Sequence, residues 1–233
     1  MKEIFATYGI SISDEQIQML EKYYQLLLEW NKKVNLTSIT EYEDVVWKHF
    51  IDSSLIMLSE EWKKSSNVSV LDVGTGAGFP GMVLAILNPE KKFTLLDSLN
   101  KRIGFLNVVI KELSLENVTA FHGRAETFGR MENFRSQFDF VLSRAVAELP
   151  VLIEYCVPFA KKNGFFISYK GKKQKEEIAI AKHAFEELGV SFDHSQEFTL
   201  KNGEKRCLLF IQVKEETREK YPRKEGKPKK SPL

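Results

Sequence analysis

Apolar residues recur along this chain with two different rhythms. In the N-terminal part Ile17, Leu20, Tyr24, Leu27 and Leu28 follow a helical spacing, which predicts an amphipathic helix. Ser13-Asp14-Glu15-Gln16 before them has the form of a capping box, and the helix is expected to end near Trp30-Asn31. After WNKKVNLTSI, the stretch EYEDVVWKHFIDSSLIML reads as a second helical segment, so residues 1–60 are predicted to form a helical cap.

Beyond Ser66 the rhythm shortens. Val68–Val73, Phe93–Asp97, Val118–Phe121, Phe138–Leu142 and Gly164–Tyr169 are apolar runs of strand length. Helices are predicted between them: Pro80–Leu87, the segment holding Ile103, Phe105, Leu106, Val109, Ile110 and Leu113, then Pro150–Ala160 and Lys175–Leu188. Gly189 stands where a helix C-terminus favours glycine. Two late β segments, near Ser191–Leu200 and Cys207–Val213, flank Lys201-Asn202-Gly203, a hairpin signal. The alternation predicts an α/β, Rossmann-like, doubly wound sheet of seven mostly parallel strands over residues 61–213. An antiparallel C-terminal hairpin closes one edge, and the helical cap is an N-terminal extension.

The first strand runs into VLDVGTGAGFPG, Val70–Gly81. In a doubly wound sheet the loop after this strand lies at the ligand site. Gly76-x-Gly78-x-x-Gly81 fits a dinucleotide fingerprint. Three details favour S-adenosylmethionine instead. Asp72 precedes the glycines, where a carboxylate repels a pyrophosphate but can organise an ammonium group. Gly74, Gly76 and Gly78 form a G-x-G-x-G that lets backbone approach an uncharged nucleoside edge. Asp97 ends the next strand, where it can accept hydrogen bonds from ribose hydroxyls. Dinucleotide enzymes place an acid there too, so the third detail discriminates poorly.

The chemistry is narrowed by what is missing. No Asn/Asp-Pro-Pro-aromatic segment presents an exocyclic amine, and no Pro-Cys pair offers a thiolate. The four histidines, His122 and His183 among them, show no metal spacing, and no metal is expected. An acceptor that carries no proton, such as guanine N7, is compatible with this set, since catalysis then reduces to alignment and exclusion of water.

Composition adds limits. At 233 residues and 43% apolar, the chain suits one α/β domain with an extension. No apolar run approaches the roughly 20 residues of a membrane span, and MKEIFATYGISISDEQ lacks a signal-peptide core. Cys156 and Cys207 fit no ligand spacing, and a reduced, cytoplasmic setting is expected. Residues 214–233 carry eight Lys/Arg against four Glu, a net +4, so the overall +2 leaves −2 on the rest. Three prolines and a glycine in that segment predict a basic flexible tail, either solubilising or aimed at nucleic-acid phosphates. Nothing demands more than a monomer.

WNKKVNLTSI, HFIDSS, VGTGAGFPG, FTLLDSLNKRIGFL, HGRAE and LSRAVAEL follow one another in this order, with YPRKEGKPKKSPL at the end. In these segments the chain resembles the RsmG, or GidB, family of bacterial methyltransferases, which act on a guanine N7 of 16S ribosomal RNA. The resemblance implies a class I methyltransferase fold, S-adenosylmethionine as cofactor, and 16S ribosomal RNA or the small ribosomal subunit as partner. It implies cofactor contacts at Gly74, Phe79, Ala125, Glu126 and Arg144. Asn35, His49 and Arg124 match polar positions near the family's pocket, and with Arg144 they are the candidate catalytic set. Lys101 and Arg102 are candidates for phosphate contact. Three other readings remain at this stage: a small-molecule methyltransferase, an RNA-binding module without activity, and a nucleotide-dependent oxidoreductase.

Overall fold

The computed structural model describes residues 1–171, 174–201 and 203–233. Its seven strands are β1 (Ser69–Val73), β2 (Lys92–Asp97), β3 (Val118–His122), β4 (Phe138–Arg144), β5 (Ala160–Lys170), β6 (Val190–Thr199) and β7 (Lys205–Val213), in sheet order β3-β2-β1-β4-β5-β7-β6. Pairings from β3 through β5 are parallel, while β7 runs antiparallel to both β5 and β6. This is the predicted doubly wound sheet with its closing hairpin. Of the Asn202-Gly203 turn signal, Asn202 lies outside the described residues; Gly203 has φ +77°. The order reverses between β1 and β4, so the loops after those two strands diverge and leave a crevice.

Alternate strand residues serve opposite faces. Val70, Leu95, Phe140 and Leu142 pack with the N-terminal helices and with helices Gly81–Leu87 and Asn100–Glu112. Leu71, Leu96, Val141 and Leu209 pack with helices Leu149–Cys156 and Lys182–Leu188. The N-terminal segment begins with α1 (Lys2–Thr7), which periodicity did not predict, followed by α2 (Asp14–Val34) with the expected Ser13–Gln16 capping box. α2 continues past Trp30-Asn31 to Val34, and the Asn31 side chain reaches past the helix end. It holds Thr37 by two hydrogen bonds, Nδ2 to Thr37 O at 2.8 Å and Thr37 N to Oδ1 at 2.9 Å. The second helical segment is broken: Tyr42–Val45 is α-helical, Val46–Ile51 is a π-helix, and Asp52–Ser54 resumes the α form. Such widened turns gather at functional sites, and this one contains His49.

The C-terminal segment departs from the flexible tail that its composition predicts. Arg135 donates to Thr217 O at 2.6 Å and to Tyr221 O at 2.7 Å, and Tyr221 is buried. Arg223 makes a bidentate pair with the fully buried Glu154, at 2.6 to 3.0 Å. Composition counts apolar area, and it misses an anchor made of guanidinium groups meeting backbone carbonyls and one buried carboxylate.

Candidate active site

The loop after β1 is held by two carboxylates. Gly76 N donates to Asp97 Oδ2 and Gly81 N to Asp72 Oδ2, both at 2.9 Å, while Gly74 N donates to Leu96 O at 2.8 Å. Gly74, Gly76 and Gly78 have φ of +72°, +62° and +102°, conformations that side chains resist. A Cβ on Gly78 would lie 2.5 Å from the Tyr23 hydroxyl, which donates to Ala77 O and ties α2 to the loop. A Cβ on Gly76 would meet nothing within 4 Å, so that backbone faces open space. Asp72 is buried beneath the loop, and burial pushes its carboxyl up to about 6.

Beside the loop lies a cleft of about 210 Å3 at the ends of β1 to β4, walled by Gly74, Leu96, Asp97, Ala125, Glu126 and Val146. Asp97 Oδ2 also receives Arg102 Nη1 at 3.1 Å, and Oδ1 receives Leu99 N at 2.9 Å. A carboxylate offers about four lone-pair sites, so Asp97 keeps one, on Oδ1. Glu126 Oε1 accepts Gly226 N at 3.0 Å, Arg124 Nε pairs with Glu225 at 2.6 Å, and Lys229 reaches the wall. The C-terminal segment thus forms one side of this cleft.

A second cavity, of about 590 Å3, opens at the ends of β4 and β5 and the start of β7. Arg144 Nη1 donates to Asp52 Oδ2 at 2.7 Å and to Lys48 O at 3.1 Å, and Nη2 stands 3.3 Å from His49 Nδ1. Arg206 Nε stands 3.2 Å from Asp52 Oδ1, close enough to pair charges but off the line of a hydrogen bond. Arg206 Nη2 is held by Glu204 at 2.6 Å. The His49 ring stacks on Phe79 with centroids 4.2 Å apart, and the Arg144 guanidinium lies 5.3 Å from the same phenyl ring. Burial, with the Arg144 charge second, pushes His49 down to about 3. His49 Nδ1 also lies 3.2 Å from Lys48 O, a carbonyl that only accepts, and Nε2 stands 3.0 Å from the Thr37 hydroxyl, which can donate or accept.

The sequence-predicted residues therefore divide. Gly74, Asp97, Arg124, Ala125 and Glu126 line the cleft, and Gly76 faces open space next to it. Arg144 and His49 line the second cavity, with Phe79 packed against both. Gly78 is closed in by Tyr23, and Asp72 takes Gly81 N on Oδ2, has no hydrogen bond on its buried Oδ1 and lines neither chamber. Asn35 stands apart, exposed, as the left-handed residue ending α2 with φ +48°. Arg102 meets Asp97, while Lys101 is exposed. Asp52, Arg206 and Lys229 were not singled out. HFIDSS contained the first, but nothing local marks a carboxylate whose partner is 92 residues away. Among the described residues one group with metal-type side chains exists, Glu61, Asp193 and His194, and it lines neither chamber.

The family model for rRNA small subunit methyltransferase G, GidB, matches residues 16–207. The protein called ribosomal RNA small subunit methyltransferase G of Lactococcus lactis subsp. lactis is 49% identical over 97% of this chain and 94% of its own. The protein of that name from Alkaliphilus metalliredigens is 48% identical over the same shares. Among solved structures, TYW2 of M. jannaschii in complex with AdoMet is similar at TM-score 0.52 and 18% identity, over 65% of this chain and 71% of that one. The [4+2]-cyclase SpnF is similar at TM-score 0.55 and 12% identity, over 70% and 79%. These two likenesses concern the fold alone. That one of the two is a cyclase shows why chemistry must be read from the site.

Proposed function

The chain belongs to the GidB family, rRNA small subunit methyltransferase G, and from that premise we propose that it transfers the methyl group of S-adenosylmethionine to N7 of a guanine in 16S ribosomal RNA. The cleft beside the glycine loop takes the cofactor, and the cavity at Arg144 takes the base. The observation that carries this reading is their adjacency: Val146 closes over Gly74 on the cleft side, while Arg144, two residues away, lines the cavity.

The cleft fits the cofactor. Gly76 leaves the space that a Cβ would fill, Leu96 and Val146 give apolar walls for a purine, and Asp97 keeps one acceptor site for a ribose hydroxyl. Glu126 sits where it can accept from an exocyclic amine. When bound, S-adenosylmethionine supplies a methyl carbon on a sulfonium; N7 brings the electron pair, and the breaking bond's pair stays on sulfur. No proton leaves N7, so the chain needs no base there. His49 suits that demand, because burial keeps it neutral while it stacks on Phe79 and stands beside Arg144. Its work is to hold Phe79 and Arg144 in place. Arg144 presents donors to the base's O6, leaving N7 open. The lysines of the C-terminal segment and Arg124 offer cations at the cleft mouth to the RNA backbone. The helical segments of residues 1–60 act as a cap over the cavity, the protein works as a cytoplasmic monomer, and no helix among the described residues is long and apolar enough to cross a membrane.

The test is methyl transfer from labelled S-adenosylmethionine to small ribosomal subunits of a strain lacking the endogenous enzyme, with large subunits as control. Label in small-subunit RNA that is cleavable at 7-methylguanine is expected. Cofactor binding without label in any RNA would remove RNA as the substrate.

A further inference from the structure

The cavity at Arg144 contains a carboxylate whose placement exceeds what an ion pair requires. Asp52 is 4% exposed, yet it lines the cavity. Its Oδ2 takes Arg144 Nη1 at 2.7 Å, and its Oδ1 takes no hydrogen bond. Arg206 stands near that oxygen but is directed to Glu204. A buried carboxylate oxygen without a hydrogen bond costs stability, and such a group calls for a donor.

We propose that Asp52 is the specificity-determining residue of the acceptor cavity, reading the target base as guanine through its N1–H and 2-amino group. The proposal rests on the methyl-transfer reading above and names the group that selects the base. Guanine presents two adjacent donors on its Watson–Crick edge. A carboxylate is acceptor-only, and Asp52 keeps two lone-pair sites on Oδ1 and one on Oδ2 after Arg144 is counted. Adenine would turn its unprotonated N1 toward the same oxygens, lone pair against lone pair. Enzymes that act on an extruded base read this edge by hydrogen bonds inside the pocket. With Asp52 on the N1/N2 edge and Arg144 on O6, both known partners in the apo cavity are used, and N7 is left for the methyl.

The same contact favours the reaction. Forming the N7–C bond while the S–C bond breaks moves the positive charge from sulfur to the purine. A fixed carboxylate at N1–H and N2–H stabilises that charge as it develops. Arg206 is already held by Glu204 and can release Oδ1 without losing its own partner.

The test compares guanosine and inosine monophosphates, which differ only in the 2-amino group, as ligands of the full-length protein in the presence of S-adenosylhomocysteine, by NMR titration. Wild type is expected to prefer guanosine monophosphate by about tenfold or more. Asp52→Asn is expected to bring the two within about twofold. If Asp52 only positioned Arg144, the substitution would weaken both ligands alike, since both carry O6. Should Asp52→Asn fail to fold by thermal melting, Asp52→Glu keeps the charge while displacing the oxygens, and it must also lower the ratio. A ratio unchanged in the folded variant overturns the proposal, as does a wild type that takes both nucleotides alike or takes neither at millimolar concentration. Labelling of small-subunit RNA by wild type, assayed in parallel, separates that failure from failure of the methyl-transfer reading.

Discussion

The two chambers are assembled in opposite ways. The glycine-loop side of the cofactor cleft is local, with Gly76 and Asp97 21 residues apart and Leu99 and Asp97 two apart, while only its outer side, Gly226 on Glu126, comes from 100 residues away. The acceptor cavity is remote: Asp52 meets Arg144 across 92 residues, and His49 meets it across 95. The cleft has a glycine-shaped backbone along one side, and the cavity gathers the charges of Lys48, Asp52, Arg144 and Arg206. A cradle of backbone tolerates the loss of one side chain in the other chamber. A charge cluster does not tolerate the loss of one of its own members, because the remaining partner is left buried and unpaired.

Removing Arg144 tests this most severely. Arg144→Ala leaves Asp52 with Arg206 alone, and methyl transfer to small-subunit RNA is expected to fall about 1000-fold, or ~4 kcal/mol. Affinity for S-adenosylhomocysteine should stay within about threefold of wild type, because Arg144 does not line the cleft. Single-turnover transfer and calorimetry measure the two, and equal losses in both would mean that the chambers are not separate. Gly78→Ala attacks the other side. Its Cβ meets the Tyr23 hydroxyl at 2.5 Å and Met82 Cβ at 2.8 Å, at φ +102°, so stability should drop by about 3 kcal/mol in urea unfolding. Gly76→Ala meets no atom and should cost only about 1 kcal/mol of backbone strain, yet it should weaken the cofactor more than the base. Asp97→Asn loses the charge and one of the two oxygens that accept from Gly76 N, Arg102 and Leu99 N, and cofactor affinity is expected to fall about tenfold, ~1.4 kcal/mol, with guanosine monophosphate binding unchanged.

This contrast also decides what could be read from the chain. The strands, their order of appearance and the glycine loop were legible because each is written within a few residues: apolar runs, then Gly74 to Gly78, then Asp97. The capping box at Ser13 was legible for the same reason. Asn35, marked by the family resemblance, is used by the backbone as an exposed left-handed helix end, while Asn31 holds Thr37, whose hydroxyl meets His49. Asp52 and Arg206 carried no local signal, because their meaning comes from the π-helical turn and from β7 lying one strand beyond β5, which separates it from β4. The tail was misjudged because its anchors, Glu154, Arg135 and Arg130, lie elsewhere in the chain.

Two buried groups, one in the cavity wall and one beneath the glycine loop, oppose one another within one pH range and nearly cancel in the wild type. His49, in the cavity wall, has its pKa lowered from 6.5 to about 3. Between those values the unfolded chain binds more protons, so His49 makes stability rise with pH. Asp72, beneath the glycine loop, has its pKa raised from 3.8 to about 6. There the folded chain binds more protons, so Asp72's contribution is present at low pH and lost as pH climbs toward 6. Each amounts to about 2 kcal/mol between pH 4 and pH 6, and in the wild type they oppose one another. His49→Gln removes the rising component, so its unfolding free energy should fall relative to wild type as pH goes from about 4 to 6. Asp72→Asn, which keeps an acceptor for Gly81 N, should show the reverse slope. Urea unfolding of the three proteins across that range measures the difference. Parallel profiles would mean that neither group is held from its ordinary charge, and the electrostatic half of the comparison would then rest on Asp52, Arg144 and Arg206 alone.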